Sequence, residues 1–288
     1  MSFIAHIKEA LDSGDPLVRK WFLVRNNYLP FVLCALYVFF VKRLGPDLMK
    51  NRKPFHLRPL MIVYNFSIVG VYIYCLYGLI HVLSTTDSLK YICSPFDLKN
   101  DPDDFTYQAA VLCWIICVVK YAEFADTVFF VLRKKNNLIT NLHVIHHAAL
   151  PFMGWIFMRT ERNAFQVVPG VINSFVHVIM YTYYGLAAIG PEVQKHLWWK
   201  KHLTKLQIFQ FIVILLFVFV MVPLTGCKTS THGIYMDIIF AILFLSLFIN
   251  FYVKTYLTSS TKTRHPPKEK RKNSVCSVEN KMLLDEYT

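Results

Sequence analysis

Apolar and polar positions along this chain alternate on the scale of whole helices. Seven apolar runs stand out, near residues 28–44, 60–84, 107–132, 140–158, 165–187, 205–225 and 234–256. A bilayer core asks for about 20 apolar residues in one helix, so the first and fourth, which are short, have soft limits. Between and around them the chain is polar. Residues 1–27 carry Asp12, Asp15, Arg19, Lys20 and Arg25, residues 97–104 are acidic, and the tail from Leu257 is rich in Ser, Thr, Lys and Pro. The pattern predicts an all-α, polytopic membrane protein of seven transmembrane helices. It divides the chain into a polar N-terminal segment 1–27, a single membrane domain 28–256 without internal repeats, and a disordered basic tail 257–288. Residues 1–27 lack the apolar core of a cleavable signal peptide.

Composition agrees. Of the 288 residues 55% are hydrophobic and 17% charged, against about 25% charged in soluble domains. Mean hydropathy is +0.39. The net charge of +13 sits mostly in connecting loops and the tail, which points to anionic lipid or a phosphorylated substrate and away from nucleic acid. Lys and Arg number nine in the N-terminal segment and the loops after the second, fourth and sixth runs. They number twenty in the other loops and the tail. The richer set belongs in the cytoplasm, which places the N-terminus in the lumen and the C-terminus in the cytoplasm. The sequon Asn65-Phe-Ser67 falls inside the second run, so no glycan is expected there. Of seven cysteines, Cys93 and Cys227 alone lie in loops that this count places in the lumen, where a disulfide between them suits an oxidising compartment.

The polar residues inside the apolar runs are few and lie at one depth. The third run carries Lys120, Glu123, Asp126 and Thr127 in its cytoplasmic half. The fourth opens with His143, His146 and His147, an HxxHH cluster on one helical face. The fifth carries Asn173, His177, Met180, Tyr181 and Tyr184 as one stripe, and the sixth opens with Thr204, Lys205, Gln207 and Gln210. Lipid satisfies none of these groups, so they face one another or a substrate. Each has a plainer reading. Lys120 and Glu123 suit an ion pair that fixes helix packing, Asp126 suits orienting a histidine, and the two glutamines suit interhelical hydrogen bonding. The tyrosines suit packing, and Cys117, one turn from Lys120, suits a small core residue as well as a nucleophile. The histidines suit either a metal or covalent chemistry. Eleven are present, but no second HxxHH occurs, so a di-iron site is poorly supplied, while a single zinc held by three histidines stays open. In the covalent reading a histidine accepts an acyl group as an acyl-imidazole, and Lys120, a second histidine and the glutamine amides stabilise a developing enolate.

Four motifs in this order resemble the fatty acid elongase family across essentially the whole membrane domain. They are Lys120-x-x-Glu123-x-x-Asp126-Thr127, His143-x-x-His146-His147, Asn173-x-x-x-His177-x-x-Met180-Tyr181-x-Tyr183-Tyr184 and Thr204-x-x-Gln207-x-x-Gln210. The resemblance implies a very-long-chain 3-oxoacyl-CoA synthase that joins an acyl-CoA to malonyl-CoA, releasing CO2 and CoA. It further implies seven helices around an acyl tunnel, the endoplasmic reticulum membrane and no metal or cofactor. The implied partners are the 3-oxoacyl-CoA reductase, 3-hydroxyacyl-CoA dehydratase and enoyl-CoA reductase that complete the cycle, with room for a homodimer. By motif, His146 resembles the acyl acceptor, His177 its partner across the cavity, and His143 and His147 orienting or proton-transfer residues. Lys120, Glu123 and Asp126 complete the catalytic set. Asn173, Tyr181, Tyr184, Gln207 and Gln210 would line the substrate, and Arg133, Lys134 and Lys205, with Lys135, Lys200 and Lys201, would hold the phosphates of coenzyme A at the mouth. The dilysine retrieval signal common in the family is missing, since the chain ends Leu283-Leu-Asp-Glu-Tyr-Thr288. A seven-helix receptor would share the arrangement of the termini but gives no reason for the polar cluster. A metal-dependent lipid hydroxylase or desaturase would share the HxxHH motif.

Overall fold

Hydrocarbon offers no partner to a peptide N–H or C=O, so a chain this apolar closes its backbone hydrogen bonds within helices. The computed structural model describes residues 9–85, 92–93, 98, 104–161, 164–226 and 231–258. Its regular structure among these is helical throughout. The long helices are α1 (Leu29–Met49), α2 (Arg58–Thr85), α3 (Asp104–Ala122), α4 (Phe124–Leu132), α5 (Asn141–Thr160), α6 (Val167–Ile189), α7 (Lys200–Thr225) and α8 (Thr231–Tyr252). α1 contains a wider, π-helical turn over Phe40–Leu44, and another such turn, Val253–Thr258, continues α8.

Each apolar run of the sequence becomes a helix, with one correction. The run 107–132 is two helices, α3 and α4, because the backbone turns at Glu123 (φ −63°, ψ −13°). There the Asp126 N–H bonds the Glu123 carbonyl, a tightened i to i+3 turn of the kind that often marks a functional position within a helix. Four helices are long and apolar enough to cross a membrane: Leu29–Met49, Arg58–Thr85, Lys200–Met221 and Gly233–Thr258. Of the others, α4 is nine residues long, and α3, α5 and α6 are the ones that carry Lys120, the histidine cluster, and Asn173 with His177. The polar groups that make these helices interesting are also what lower their hydropathy.

Polarity is inverted relative to a soluble protein. α2 exposes Leu60, Val63, Ile73, Tyr77 and Ile80, and α7 exposes Phe209, Leu216, Phe219 and Leu224. Lys120, Glu123, Asp126, Thr127, His147, His177, Gln210 and Asp237 are all buried. Apolar outside and charged inside is the arrangement of a multi-pass membrane protein. Six helical rods close a ring by neighbour contacts, in the order α2, α3, α5, α8, α7, α6 and back to α2, with α2 against α6 the most extensive interface. α1 packs outside the ring on α5, where Phe31 meets Phe152 and Trp155.

The polar N-terminal segment is docked against the ring. Asp15, 1% exposed, accepts from the N–H groups of Leu17, Val18 and Leu98. Arg159, in the last turn of α5, donates to the carbonyls of Leu11 and Val24 and pairs with Asp12 at 3.0 Å. Val18 and Val24 pack with Leu98, Ala110 and Trp114. Arg159, read from the sequence as a loop charge, is thus a buried clasp.

Cys93 is disulfide-bonded, and Cys34, Cys75, Cys113 and Cys117 are free thiols. Cys227, its expected partner, lies outside the described residues, as do residues 97 and 99–103 of the acidic stretch and the tail beyond Thr258. Peptide mapping of unreduced protein is expected to recover Cys93 crosslinked to Cys227. A loop of more than 100 residues closed this way stabilises by about 4.7 kcal/mol in the chain-entropy model, so reduction should also lower the melting temperature. Recovery of Cys227 as a free thiol from protein kept oxidised would rule the pairing out.

Candidate active site

The HxxHH cluster owes its position to a helix start. Thr140 is extended, and its hydroxyl caps α5 by accepting the His143 N–H at 3.2 Å. His143, His146 and His147 therefore occupy the first two turns, where the positive end of the helix dipole lies. The rings of His143 and His147 are 4.3 Å apart, and His146 packs edge-on against His147 and Phe244. Pro151 follows one turn later inside the helix. It has no N–H for the His147 carbonyl, so the ladder is interrupted directly below the cluster.

The centre of the site is the Glu123 carboxylate, 1% exposed. Lys120 Nζ reaches its two oxygens at 3.2 and 3.4 Å, and the Tyr72 hydroxyl donates to Oε1 at 2.5 Å. His177 Nε2 stands 3.7 Å from Oε1 and His147 Nδ1 3.9 Å from Oε2. Lys120 Nζ also lies 2.7 Å from His177 Nε2, and His177 Nδ1 is 2.9 Å from the Asn173 carbonyl. A carbonyl only accepts, so Nδ1 carries the proton and Nε2 presents its lone pair to the lysine ammonium. α2, α3, α5 and α6 thus meet at one carboxylate.

A second set of bonds surrounds this centre. The Tyr181 hydroxyl donates to Asp126 Oδ2 at 2.7 Å. Thr127 Oγ1 lies 2.8 Å from His143 Nε2 and 2.9 Å from the Tyr37 hydroxyl. The expectation that Asp126 orients a histidine is therefore corrected. Asp126 holds a tyrosine, because the turn at Glu123 rotates the following residues onto a different face, and Thr127 takes the histidine instead.

The sequence-predicted residues divide into two groups. Lys120, Glu123, Asp126, His143, His146, His147, His177 and Tyr181 come together. Tyr184 packs edge-on against Tyr181 at the margin, and the Gln207 amide points at Met180 Sδ, 3.2 Å away. Gln210 is buried with no partner for its Oε1 among the described residues. The cations expected at the mouth are less united. Arg133 Nη1 contacts Met61 Sδ, Lys134 donates to the Lys50 carbonyl, and Lys205 is exposed on α7. Tyr72 and Tyr37 are not distinguished by the sequence, since each is one of several tyrosines in its apolar run. The available signal was a hydroxyl in a segment that offers it no lipid partner.

A cavity of about 150 Å³ leads away from the centre. Lys120, Asn173 and Phe244 line its near end, Ile116, Met153 and Phe240 its middle, and Gln166 and Asp237 its far end. Gly154 lets α5 approach α3 here, since a Cβ on it would stand 3.2 Å from Cys117 Sγ. No three His, Cys, Asp or Glu side chains among the described residues are grouped so as to hold a metal ion. What the arrangement offers is a nucleophile or base of the histidine type, an ammonium and a carboxylate in a buried pocket, beside a largely apolar cavity.

Residues 22–264 match the model of the ELO: GNS1/SUR4 family. The chain is 40% identical over 204 residues to very long chain fatty acid elongase 7 of Rattus norvegicus, covering 71% of this chain and 72% of the rat protein. It is 40% identical over 207 residues to very long chain fatty acid elongase 1 of Homo sapiens, covering 72% and 73%. To very long chain fatty acid elongase AAEL008004 of Aedes aegypti it is 40% identical over 220 residues, 76% of this chain, and spans 61% of the mosquito protein's length.

Two substitutions test the buried network. Tyr72→Phe removes a hydrogen bond to a charged acceptor and should cost about 1.5–3 kcal/mol of stability. Glu123→Ala leaves Lys120 buried beside His177 without its counter-charge and should cost more, roughly 3–5 kcal/mol. Melting in detergent is expected to rank wild type above Tyr72→Phe above Glu123→Ala. Indistinguishable melting of all three would mean that Glu123 does not organise these helices.

Proposed function

The chain belongs to the ELO (GNS1/SUR4) family, and from that premise we propose that it is the condensing enzyme of fatty acid elongation. The reading is that of a very-long-chain 3-oxoacyl-CoA synthase, with long-chain acyl-CoA and malonyl-CoA as its substrates. The observation that carries it is the meeting of His143, His146, His147, His177, Lys120 and Glu123 at one end of an apolar cavity. That combination pairs acyl-transfer chemistry with space for a hydrocarbon chain.

In this reading a ring nitrogen of His146 attacks the thioester carbonyl, the C–S bond breaks, and CoA leaves as the thiol after taking the imidazole proton. His146 suits the role because its ring is held by Phe244, Phe248 and His147 and is engaged in no hydrogen bond among the described residues. Malonyl-CoA then binds and loses CO2. The resulting carbanion attacks the acyl carbonyl, the C–N bond breaks, and 3-oxoacyl-CoA leaves with the imidazole restored. Lys120 and His177, fixed by Glu123 and the Asn173 carbonyl, stabilise the enolate and relay the proton. Asn173, Tyr181, Tyr184, Gln207 and Gln210 shape the substrate walls. Lys205, Arg133 and Lys134 supply positive charge toward the CoA phosphates.

The wider assignment follows the charge asymmetry and the six-helix ring. Seven helices span the endoplasmic reticulum membrane around an acyl tunnel, with the N-terminus and the disulfide in the lumen and the histidine end in the cytoplasm, where CoA esters are. The product needs a 3-oxoacyl-CoA reductase, a 3-hydroxyacyl-CoA dehydratase and an enoyl-CoA reductase to complete a cycle. No metal takes part.

Covalent catalysis predicts that acyl-CoA alone releases about one equivalent of free CoA in a burst, with one acyl mass added to the protein. His146→Ala should abolish both. Release of CoA only after malonyl-CoA is added would sink the acyl-enzyme, and full acylation of the mutant would move the nucleophile elsewhere. Independently, condensation in detergent should survive strong chelators. Loss of activity that iron or zinc restores would overturn the metal-free reading.

A further inference from the structure

The far end of the cavity is chemically unlike the rest of it. Between Lys120 and that end the walls are Ile116, Leu150, Met153, Phe157, Ile214 and Phe240, with two cysteines. Yet the end itself presents Asp237 and Gln166. Asp237 is 5% exposed, and Gln166 Nε2 donates to its Oδ2 at 2.8 Å. A carboxylate has about four lone-pair positions. Among the described residues one donor is all that Asp237 receives, and none of their cations pairs with it. That bond ties the start of α6 to α8, as interhelical glue would. The pair nevertheless lines the cavity, and among the described residues the carboxylate has acceptor capacity left over.

The position suits a substrate terminus. Asn173 to Gln166 on α6, and Phe244 to Asp237 on α8, are each two helical turns, about 10 Å at 1.5 Å per residue. His146 lies one further turn from Leu150, on the side away from Asp237. A chain attached at His146 and running down the cavity would carry its ω-end toward the Gln166–Asp237 pair. A methyl end would leave the carboxylate bare in apolar surroundings, which is unfavourable. A terminal hydroxyl would donate to it, or accept from it if protonated.

We infer that Gln166 and Asp237 form a recognition site for a hydroxyl at the ω-end of the acyl chain. The protein accordingly accepts ω-hydroxyacyl substrates whose length brings that hydroxyl to Asp237. This inference rests on the condensing reading only for the direction in which the chain enters. Asp237 and Gln166 act here as specificity residues and take no part in bond making.

The test compares substrate pairs of equal length that differ only in the ω-hydroxyl, over a series of lengths. With full-length protein and labelled malonyl-CoA, kcat/KM for the ω-hydroxyacyl-CoA should exceed that for the methyl-terminated one about tenfold within a narrow window of lengths, as a hydrogen bond to a charged group would provide. Asp237→Leu should erase the preference and raise turnover of the methyl-terminated partner, while Asp237→Asn should keep part of it. Equilibrium binding of free ω-hydroxy and unsubstituted fatty acids, without malonyl-CoA, should show the same preference and the same loss. That arm decides the inference even if no condensation occurs, an outcome that would defeat the proposed function alone. A wild-type preference for the methyl end at every length overturns the site. So does a hydroxyl preference that survives in Asp237→Leu, or an equal loss of both substrates in both variants.

Discussion

The Glu123 carboxylate draws an ammonium from Lys120 and a hydroxyl from Tyr72, and it lies within 3.9 Å of ring nitrogens on His147 and His177. Those groups come from four helices whose outer surfaces face hydrocarbon. Lipid cannot solvate a carboxylate, and removing any one partner leaves a charge or a donor unmet in a medium where that is costly. The ring of helices is free to pack its apolar faces in many registers. The need to satisfy this one group selects the register in which α2, α3, α5 and α6 bring their polar residues to the same depth. In the proposed reading, structural and chemical roles therefore coincide. The bonds that hold Lys120 and His177 in place are the bonds that would prepare them for the chemistry proposed above.

The two ends of the ring are built on different principles. At the histidine end, the Thr140 cap, the interruption at Pro151 and the tightened turn at Glu123 arrange polar side chains around an opening. At the other end the N-terminal segment is drawn in by Asp15 and Arg159, both satisfied largely by backbone groups. Between the two lies a narrow apolar space that widens or narrows with single side chains, Gly154 against Cys117 among them. A long hydrocarbon gains about 0.8 kcal/mol per methylene buried there. At the far end Gln166 and Asp237 replace apolar wall, and a chain lying there would be positioned by what it meets.

Much of this was legible from residue order. That each apolar run is helical follows from residue order, because lipid imposes helical hydrogen bonding regardless of which neighbours a helix finds; that the third run is two helices does not. The HxxHH cluster, Lys120 with Glu123, and the stripe through Asn173 and His177 were readable as a site because ionisable groups in such runs must be sheltered. Their helical spacing says which share a face. Other features depend on distance between residues far apart in the chain, and periodicity carries no such distances. Whether Asp126 meets a histidine or a tyrosine depends on a turn of a few tens of degrees at Glu123. Tyr72 joins the site because α2 packs on α6 and α3, 51 residues from its partner. Arg159 looked like a topological loop charge until the N-terminal segment was seen folded onto it. Asp237 is one acid near the start of an apolar run, and only the closure of the ring shows that it faces the same cavity as Lys120. The sequence by itself determined the helices, their polarity and the depth of the chemistry, all local consequences of a solvent that cannot hydrogen-bond. The tertiary structure decided which polar groups became partners and which was left facing empty space, because partnership is a matter of packing between helices.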